Sequence, residues 1–408
     1  MKKIFTAFLC VLLMSNAIIS ASAYEYTYLD MDLDLEYYEK FKDDNISINV
    51  YNWGEYISDG SDDSIDVNAE FEELTGITVN YTNFATNEDL YAKLKGGLAQ
   101  YDVIIPSEYM ISRMIDEDML EKLDFSNIPN FEYIDDDFKN QAYDPDNEYA
   151  VPYTWGTIGI IYNTSYIDAD DDMATWDALW NEKYTDKILM FSNQRDAFGI
   201  AMKKNGFSMN SVSEEEYNIA LADLKEQKIV LQAYVMDEIF DKMASGEAWI
   251  APYYAGDAVV MMDMNEDLAF ATPVEGTNRF LDAMCIPKGS TQKAAAEMYI
   301  NFMCEPEIGA ANIEYICYST PNWASYALLD EETQEDEMIY PPDEILEQSE
   351  YYITLPDEIN LMMDSMWAEL LTESTGYSQW VVIAILLILS ISSVAINVSR
   401  YKRKHRDY

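Results

Sequence analysis

Apolar positions between residues 46 and 109 change from a period of two to a helical period and back again. The segments "ISINVYNW" (46–53) and "ITVNYTNF" (77–84) are rich in β-branched and aromatic residues, which predicts two strands. Between them Val67, Phe71 and Leu74 recur at helical spacing, and the glycine that follows this helix can close it. The chain therefore begins its fold with a strand, a helix and a strand.

A second helix follows these elements. Thr86 is placed to cap it, with Asp89 three residues further on. The apolar side chains expected on its buried face are Leu90, Leu94 and Leu98. A third strand, "YDVIIPSEY" (101–109), then ends at Pro106. This order predicts a β-α-β-α-β unit with a parallel sheet.

Aromatic and acidic residues follow the predicted strand ends. Trp53, Glu55 and Tyr56 come after the first strand, and Tyr109 comes after the third. Ligands of open α/β sheets bind beyond the carboxyl ends of the strands, so these side chains are expected to line a cleft. The alternative, that Trp53 and Tyr56 only cover the end of the sheet, stays open at this point.

The second half of the chain repeats the alternation. "DKILMFSN", "EAWIAPYYAGDA" and "NRFLDAMCIP" read as strands or strand ends, separated by helices at 213–226 and 292–304. Asp282 lies inside an apolar strand, where a buried carboxylate needs either a structural Lys or Arg or a cationic ligand. Asp257 could cap a helix. This half predicts a second α/β lobe.

The two ends of the chain carry targeting signals. Residues 1–23 resemble a signal peptide, since two lysines precede an apolar run that ends in "SASA". The 19 residues from Trp380 to Val398 carry no charge and predict a membrane-spanning helix. The basic residues of 399–408 then indicate a cytoplasmic tail, with the domain before the span on the extracytoplasmic side, in a periplasm or at the cell surface.

Composition narrows the functional classes. The net charge of −50, from 75 acidic and 25 basic residues, argues against nucleic acid as a partner and allows a cationic one. Residues 24–45 are acidic and Tyr-rich, and we expect them to form a leader outside the fold. The roughly 350 residues between the terminal signals are enough for two lobes.

Candidate catalytic and metal-binding chemistry is sparse. The only histidine, His405, lies in the basic tail, and GxSxG, HExxH and GxxxxGK[ST] motifs do not occur. The exported part keeps Cys285, Cys304 and Cys317, which allow one disulfide at most and show no metal-ligand spacing. The sequence thus predicts neither an enzyme nor a cofactor or metal site.

Several motifs together resemble one family. "VYNWGEYI", "FEELTGITVNYTNFATNEDLYAKLKGG", "YDVIIPSEYM", "YAVPYTWGTIGIIYN", "WDALWNEKY" and "CYSTPN" occur in order between residues 48 and 322. In this order and spacing they resemble the spermidine/putrescine-binding proteins of ABC transporters, and a weaker similarity continues to about residue 372. The resemblance implies a two-lobed α/β fold of the periplasmic-binding-protein-like type (type II), in which each lobe has a mixed, mostly parallel sheet flanked by helices. Such a protein closes on a linear polyamine and delivers it to an ABC permease.

The resemblance also implies lobe bounds and ligand contacts. Lobe 1 would comprise 46–156 and 281–325, and lobe 2 would comprise 157–280 and 326–372. The family's contacts fall on Trp53, Glu55, Tyr56, Tyr109, Asp196, Tyr254, Asp257, Phe280, Asp282 and Tyr318. The residue types suit a polyamine, because carboxylates pair with ammonium groups and aromatic faces pack on methylenes.

This chain departs from the family pattern at several of these positions. Tyr254 and Phe280 stand where the family usually has tryptophan, Asn193 replaces an aspartate of the spermidine binders, and Gly54 replaces a hydroxyl residue. Asp257 matches an acid of the putrescine-selective members. Asp257 and Asn193 favour putrescine over spermidine, whereas Tyr254 and Phe280 could either preserve the aromatic sandwich or widen it for another amine.

Three other functions remain open from the sequence. The same fold could bind ferric ion, a sugar or an organic anion. A surface glycoside hydrolase could use two of the cleft carboxylates. A sensor that signals through the predicted membrane span is disfavoured, because only about ten residues follow that span.

Overall fold

The structure is a computed structural model that describes residues 26–97 and 100–373. Within these residues the strands are β1 (Ser47–Trp53), β2 (Thr78–Phe84), β3 (Val103–Ile104), β4 (Ala150–Asn163), β5 (Ile188–Phe191), β6 (Leu231–Val235), β7 (Ile250–Tyr254), β8 (Leu268–Ala271) and β9 (Arg279–Cys285).

The α-helices of the same residues include several of one turn only. They are α1 (Leu35–Tyr38), α2 (Val67–Thr75), α3 (Asn87–Lys95), α4 (Glu108–Asp116), α5 (Gln194–Lys204), α6 (Glu214–Gln227), α7 (Glu238–Ala244), α8 (Ala255–Met264), α9 (Lys293–Met303), α10 (Pro306–Ile316), α11 (Trp323–Tyr326), α12 (Glu331–Glu335), α13 (Asp343–Leu346) and α14 (Asp357–Thr372). Short 3-10 helices occur between them, for example at Trp176–Trp180.

The predicted β-α-β-α-β unit is confirmed. β1 pairs in parallel with both β2 and β3, and α2 and α3 connect the strands. Gly76 ends α2 in the left-handed region at φ 72°, and the Thr86 hydroxyl accepts the Asp89 N–H at 3.1 Å. The third strand is shorter than expected, so Tyr109 lies in the first turn of α4. Leu98, expected on α3, lies outside the described residues.

The sheet contains more antiparallel pairing than we predicted. Its strand order is β2-β1-β3-β9-β4-β7-β5-β6, with β8 also paired to β4. β4 is antiparallel to β7, β8 and β9, and β3 is antiparallel to β9. The antiparallel pairs arise mainly from β4, a long strand that belongs to both halves of the sheet. Its residues 150–157 pair with β9, and residues 158–163 pair with β7 and β8. The expectation of mostly parallel strands is therefore wrong for this part of the sheet.

The two largest hydrophobic cores draw on different parts of the chain. One includes Trp176 and Phe198 and takes its buried residues from 158–268 and 355–370. The other includes Phe71 and Tyr299 and takes its buried residues from 38–153 and 280–329. Each core thus combines segments that are distant in sequence, because the chain passes between the halves at β4 and β9.

The described part of the acidic segment before β1, residues 26–45, belongs to the fold, contrary to our expectation that residues 24–45 form a leader outside it. Tyr38 is fully buried in the second core, packs edge-on against Phe302 and donates a 2.6 Å hydrogen bond to Glu305. The backbone N–H of Thr27 donates to Glu70 at 2.7 Å. Burial of an aromatic ring outweighs the acidic composition of the surrounding residues.

The signal peptide (1–23), the predicted span (380–398) and the basic tail (399–408) all lie outside the described residues. Among the residues that are described, none of the helices is both long and apolar enough to span a membrane. Cys285, Cys304 and Cys317 are all described, and each is a free thiol.

Candidate functional site

A cavity opens where β1 and β7 end and where α3, α4, α5 and α8 begin. Its wall comes from Trp53, Gly54, Tyr56, Asn87, Ser107, Tyr109, Asn193, Asp196, Met236, Asp237, Tyr253, Tyr254, Asp257, Asn278, Phe280, Asp282, Tyr318 and Tyr352. The empty space between these side chains, counted out to the open mouth, is about 590 Å³.

The structure brings nine of the ten predicted site residues to this wall. The exception is Glu55, which is exposed beside the mouth and adopts a left-handed backbone at φ 47°. A non-glycine residue in this region is uncommon, and it reflects the tight turn that follows β1. Trp53 and Tyr56 therefore line a cavity in addition to covering the end of the sheet.

Asp282 is buried in the wall with half of its carboxylate unsatisfied. Its Oδ2 accepts a 2.9 Å hydrogen bond from the Tyr56 hydroxyl, which also contacts Thr154 on β4. Its Oδ1 has no hydrogen-bond partner, and no Lys or Arg among the described residues forms an ion pair with it. Burial raises the pKa of Asp282 to about 7, helped by Asp196, although nearby hydroxyls of Ser107 and Tyr56 oppose the shift. Within residues 26–97 and 100–373, no lysine or arginine therefore plays the structural role that we considered for a partner of Asp282.

Asp196 lies near Asp282 and has three polar partners. The hydroxyls of Tyr254 and Tyr352 donate to it at 2.9 and 3.1 Å, and the amide of Asn193 donates at 2.8 Å. Burial raises the pKa of Asp196 to about 6, while the two tyrosine hydroxyls oppose the shift. Asp196 and Asp282 form a group that we call the inner acid pair.

A second group of carboxylates contains Asp257, Asp237 and Glu55, and we call it the outer acid group. Asp257 lies in the first turn of α8 but does not cap this helix, since Tyr254 is the N-cap residue. Burial raises the pKa of Asp257 well above its usual range, the Tyr318 hydroxyl opposes the shift, and Asp237 and Glu55 add to it. Glu55 and Asp237 remain exposed to solvent, but partial desolvation raises both pKa values, with Asp237 and Asp59 adding to the shift of Glu55 and Glu238 to that of Asp237.

Aromatic rings fill the wall between the two acid groups. Tyr318 meets Tyr56 edge-on at 4.8 Å between ring centroids, and Tyr254 meets Phe280 edge-on at 5.4 Å. Gly156 on β4 pairs with Phe280 on β9, and a Cβ at Gly156 would lie only 2.8 Å from the tip of that ring. The missing side chain at Gly156 thus gives the Phe280 ring its place in the cavity.

Several wall residues were not predicted from the sequence. Asn87 lies at the start of α3, directly after strand β2, so the strand-end rule could have found it. Asp237 follows β6 in the same way. Tyr352 comes from a segment without regular secondary structure, and no local pattern in the sequence points to it.

The charged side chains that line the cavity are all acidic. Four aspartates line it, and none of the lining side chains from the described residues is basic. The nearest arginine in sequence, Arg195, instead packs over the Tyr352 ring at 4.4 Å and donates to Asn210 and to the Ile353 carbonyl. Among the described residues there is no group of three or more His, Cys, Asp or Glu side chains that could hold a metal ion.

An α/β sheet crossed by a long shared strand, with a cavity at the strand ends, defines a periplasmic-binding-protein-like fold. A family model described as bacterial extracellular solute-binding protein matches residues 67–340. The chain belongs to this family, which consists of solute-binding proteins of ABC transporters and not of enzymes.

Named relatives agree with this assignment. The chain is 32% identical over 310 residues to the spermidine/putrescine-binding periplasmic protein of Escherichia coli (strain K12), covering 76% of this chain and 87% of the relative. It is 28% identical over 348 residues to the putrescine-binding periplasmic protein SpuD of Pseudomonas aeruginosa (strain UCBPP-PA14), covering 80% and 92%. The solved substrate-binding protein PotD of a Streptococcus pneumoniae spermidine/putrescine ABC transporter shares 36% identity at a TM-score of 0.67, covering 80% and 98%.

Proposed function

We propose that this protein captures a polyamine outside the cytoplasm and delivers it to an ABC permease. The observation that carries the proposal is the arrangement of two acid groups separated by aromatic rings in a cavity whose described wall has no basic side chain. A diamine has the complementary pattern, with an ammonium group at each end and methylenes between them. Each contact between a cation and an aromatic ring adds roughly 0.5 to 2 kcal/mol.

The inner acid pair has the chemistry to receive one ammonium group. Asp282 Oδ1 is buried without a partner, and a buried carboxylate without a partner is costly when ionised. An ammonium group would supply the missing charge and hydrogen bond. Binding would also remove the repulsion between Asp196 and Asp282, so a dication should favour the closed form of the cleft over the open form.

We propose putrescine as the preferred polyamine. Asp257 is buried in the cavity wall, where it provides a carboxylate for the second ammonium group. Asn193 has a neutral amide, which cannot form an ion pair with a third amine. Its N–H is donated to Asp196. The proposed ligand contacts are Trp53, Glu55, Tyr56, Tyr109, Asp196, Tyr254, Asp257, Phe280, Asp282 and Tyr318, with Glu55 at the mouth.

Two further parts of the proposal concern the whole chain. The two hydrophobic cores support two lobes close to the predicted ones, lobe 1 as 46–156 with 281–325 and lobe 2 as 157–280 with 326–372. The core of lobe 1 also takes in Tyr38, Phe280 and Leu329, so this lobe includes the segment before β1 and extends slightly past the predicted bounds. The uncharged run 380–398 and its basic flank support a single membrane anchor, with the binding domain on the extracytoplasmic side. The closed binding domain with its ligand would then meet the permease at the membrane surface.

A thermal-shift series on the purified full chain in detergent tests the proposed function. The series compares putrescine, cadaverine, spermidine and spermine with maltose and ferric citrate. We expect the largest increase in Tm with putrescine, since a ligand that binds only the folded state stabilises it. A larger increase with spermidine would contradict the putrescine preference, and an increase with maltose or iron alone would contradict polyamine binding.

A further inference from the structure

Gly54 and Asp237 occupy one space at the mouth of the cavity. A Cβ built on Gly54 would overlap Asp237 Oδ2 and would lie 3.2 Å from Asp237 Cγ. The backbone of Gly54 has no positive φ, so another residue could adopt its conformation. The carboxylate of Asp237 therefore stands in the place that a side chain at position 54 would take.

Asp237 has no structural task that explains this position. It precedes α7, yet its side chain does not cap the helix, and it forms no hydrogen bond or ion pair with the described residues. It lines the same cavity as Asp257, and the two carboxylates are close enough for Asp237 to raise the pKa of Asp257. Asp237 is exposed at the mouth, so water solvates it in the free protein and an entering cation can reach it. Its charge lies beside those of Asp257 and Glu55, and a group of like charges favours a cation between them.

We propose that Asp237, together with Asp257, receives the second cationic end of the ligand, and that Gly54 is required to leave room for it. This inference rests on the proposed function and deepens it. The inner acid pair holds one ammonium group of any amine that enters, whereas Asp237 and Asp257 distinguish a dication from a monocation. Asp237 is thus a specificity-determining residue for ligands that carry a positive charge at both ends.

The first test measures selectivity by calorimetry on the full chain in detergent at pH 8. Putrescine is compared with butylamine, which has the same four-carbon chain and only one amine. We expect Asp237→Asn to weaken putrescine binding about tenfold or more and to leave butylamine binding within about twofold, because Asn keeps the shape and removes the charge. Glu215→Gln, an exposed acid of α6 outside the cavity, serves as the control for net charge and should change neither affinity.

The second test uses the steric link between the two residues. Gly54→Ala should weaken putrescine binding because the new methyl group displaces the Asp237 carboxylate. In an Asp237→Ala background the same substitution should have little further effect, since nothing remains for the methyl group to displace. Circular dichroism of each variant identifies any that fail to fold.

The outcomes separate the inference from the proposed function. Equal losses for putrescine and butylamine in Asp237→Asn, or no loss at all beside an active wild type, would overturn the role of Asp237 and leave polyamine binding intact. Additive effects of Gly54→Ala and Asp237→Ala would overturn the role of Gly54. Failure of the wild-type chain to bind any amine would overturn both the proposed function and this inference.

Discussion

Tyr56 donates a 2.9 Å hydrogen bond to Asp282 Oδ2 and so joins the turn after β1 to the middle of β9. This bond fixes one oxygen of the carboxylate and leaves the other, Oδ1, buried and unsatisfied at the cavity. The sequence places these two residues 226 positions apart. The contact shows how the crossing of β4 and β9 brings an aromatic strand end and an acidic strand centre into one site.

Asp282→Asn should lower affinity and raise the stability of the ligand-free protein. The pKa of Asp282 rises from its usual 3.8 to about 7 on folding, so its ionised form opposes folding by up to about 4 kcal/mol above pH 7. Removing the charge should recover about 1–4 kcal/mol, measured as the free energy of unfolding at pH 8. Putrescine affinity should fall at least about 100-fold in a calorimetric titration, since an ion pair and a hydrogen bond are lost. A loss of stability in the ligand-free variant would support a structural role for the acid instead.

Tyr56→Phe tests the hydroxyl separately from the ring. The variant keeps the edge-on contact with Tyr318 and removes the donor to Asp282, so the ionised carboxylate loses stabilisation. We expect about a tenfold loss of putrescine affinity, consistent with about 1.5 kcal/mol for a hydrogen bond to a charged group. Tyr315→Phe, a partly exposed tyrosine outside the cavity wall, is the matched control. Unchanged affinity in Tyr56→Phe would show that the hydroxyl plays no part in binding.

Binding should weaken as the pH falls. Asp282 and Asp196 titrate near pH 7 and pH 6 in the ligand-free protein, and an ammonium group binds their ionised forms. The free protein must therefore release protons to bind, and Kd should increase up to about tenfold per pH unit below 7 and more steeply below 6. Calorimetric titrations between pH 5.5 and 8 measure this dependence. A Kd independent of pH across this range would mean that these carboxylates do not contact the amine.

The same groups set the pH dependence of stability without ligand. A carboxyl group whose pKa is raised by folding binds protons more tightly in the folded state than in the unfolded state. Its contribution to stability is therefore lost as the pH rises from about 4 through the folded pKa values of about 6 and 7. We expect the difference in unfolding free energy between wild type and Asp282→Asn to grow between pH 5 and 8. A difference that stays constant would contradict the raised pKa.

Gly156→Ala should displace the Phe280 ring and thereby lower both the stability of the protein and its affinity for putrescine. The new Cβ would lie 2.8 Å from the tip of the ring, and overpacking of this kind costs about 1–3 kcal/mol. We expect lower thermal stability together with weaker putrescine binding. Phe280→Leu in the Gly156→Ala background should recover most of the stability and none of the ring's contact with the ligand. If the double variant is no more stable than Gly156→Ala, the steric explanation is wrong.

The segment before β1 should matter for stability alone. Tyr38 is fully buried and its hydroxyl accepts from Asn301 and donates to Glu305. Tyr38→Ala should cost about 3–5 kcal/mol of unfolding free energy, as truncation of a buried aromatic residue usually does. Its Kd for putrescine should match that of wild type. Wild-type stability in this variant would restore our original view of residues 24–45 as a leader outside the fold.

Local patterns in the sequence predicted the first part of the fold well. The strands, the caps at Thr86 and Gly76, and the site residues Trp53 and Tyr56 follow from periodicity and from the rule for strand ends. Asp237 was missed because β6, "LQAYV", is short and partly polar, so the strand before it gives a weak signal. Tyr352 could not be found locally, since only long-range packing brings its segment to the cavity. The antiparallel pairing of β4 and β9 likewise depends on contacts between distant segments.

A calorimetric titration of the full chain with putrescine at pH 8 tests the central claim most directly. The account predicts one molecule bound per chain with a Kd in the micromolar range or tighter, which corresponds to about 8 kcal/mol or more. It also predicts that the Asp257→Asn/Asp282→Asn double variant, which loses one acid from each group, binds no putrescine under the same conditions. Absence of heat with wild type at several temperatures, or undiminished binding by the double variant, would contradict the assignment of this cavity to a polyamine.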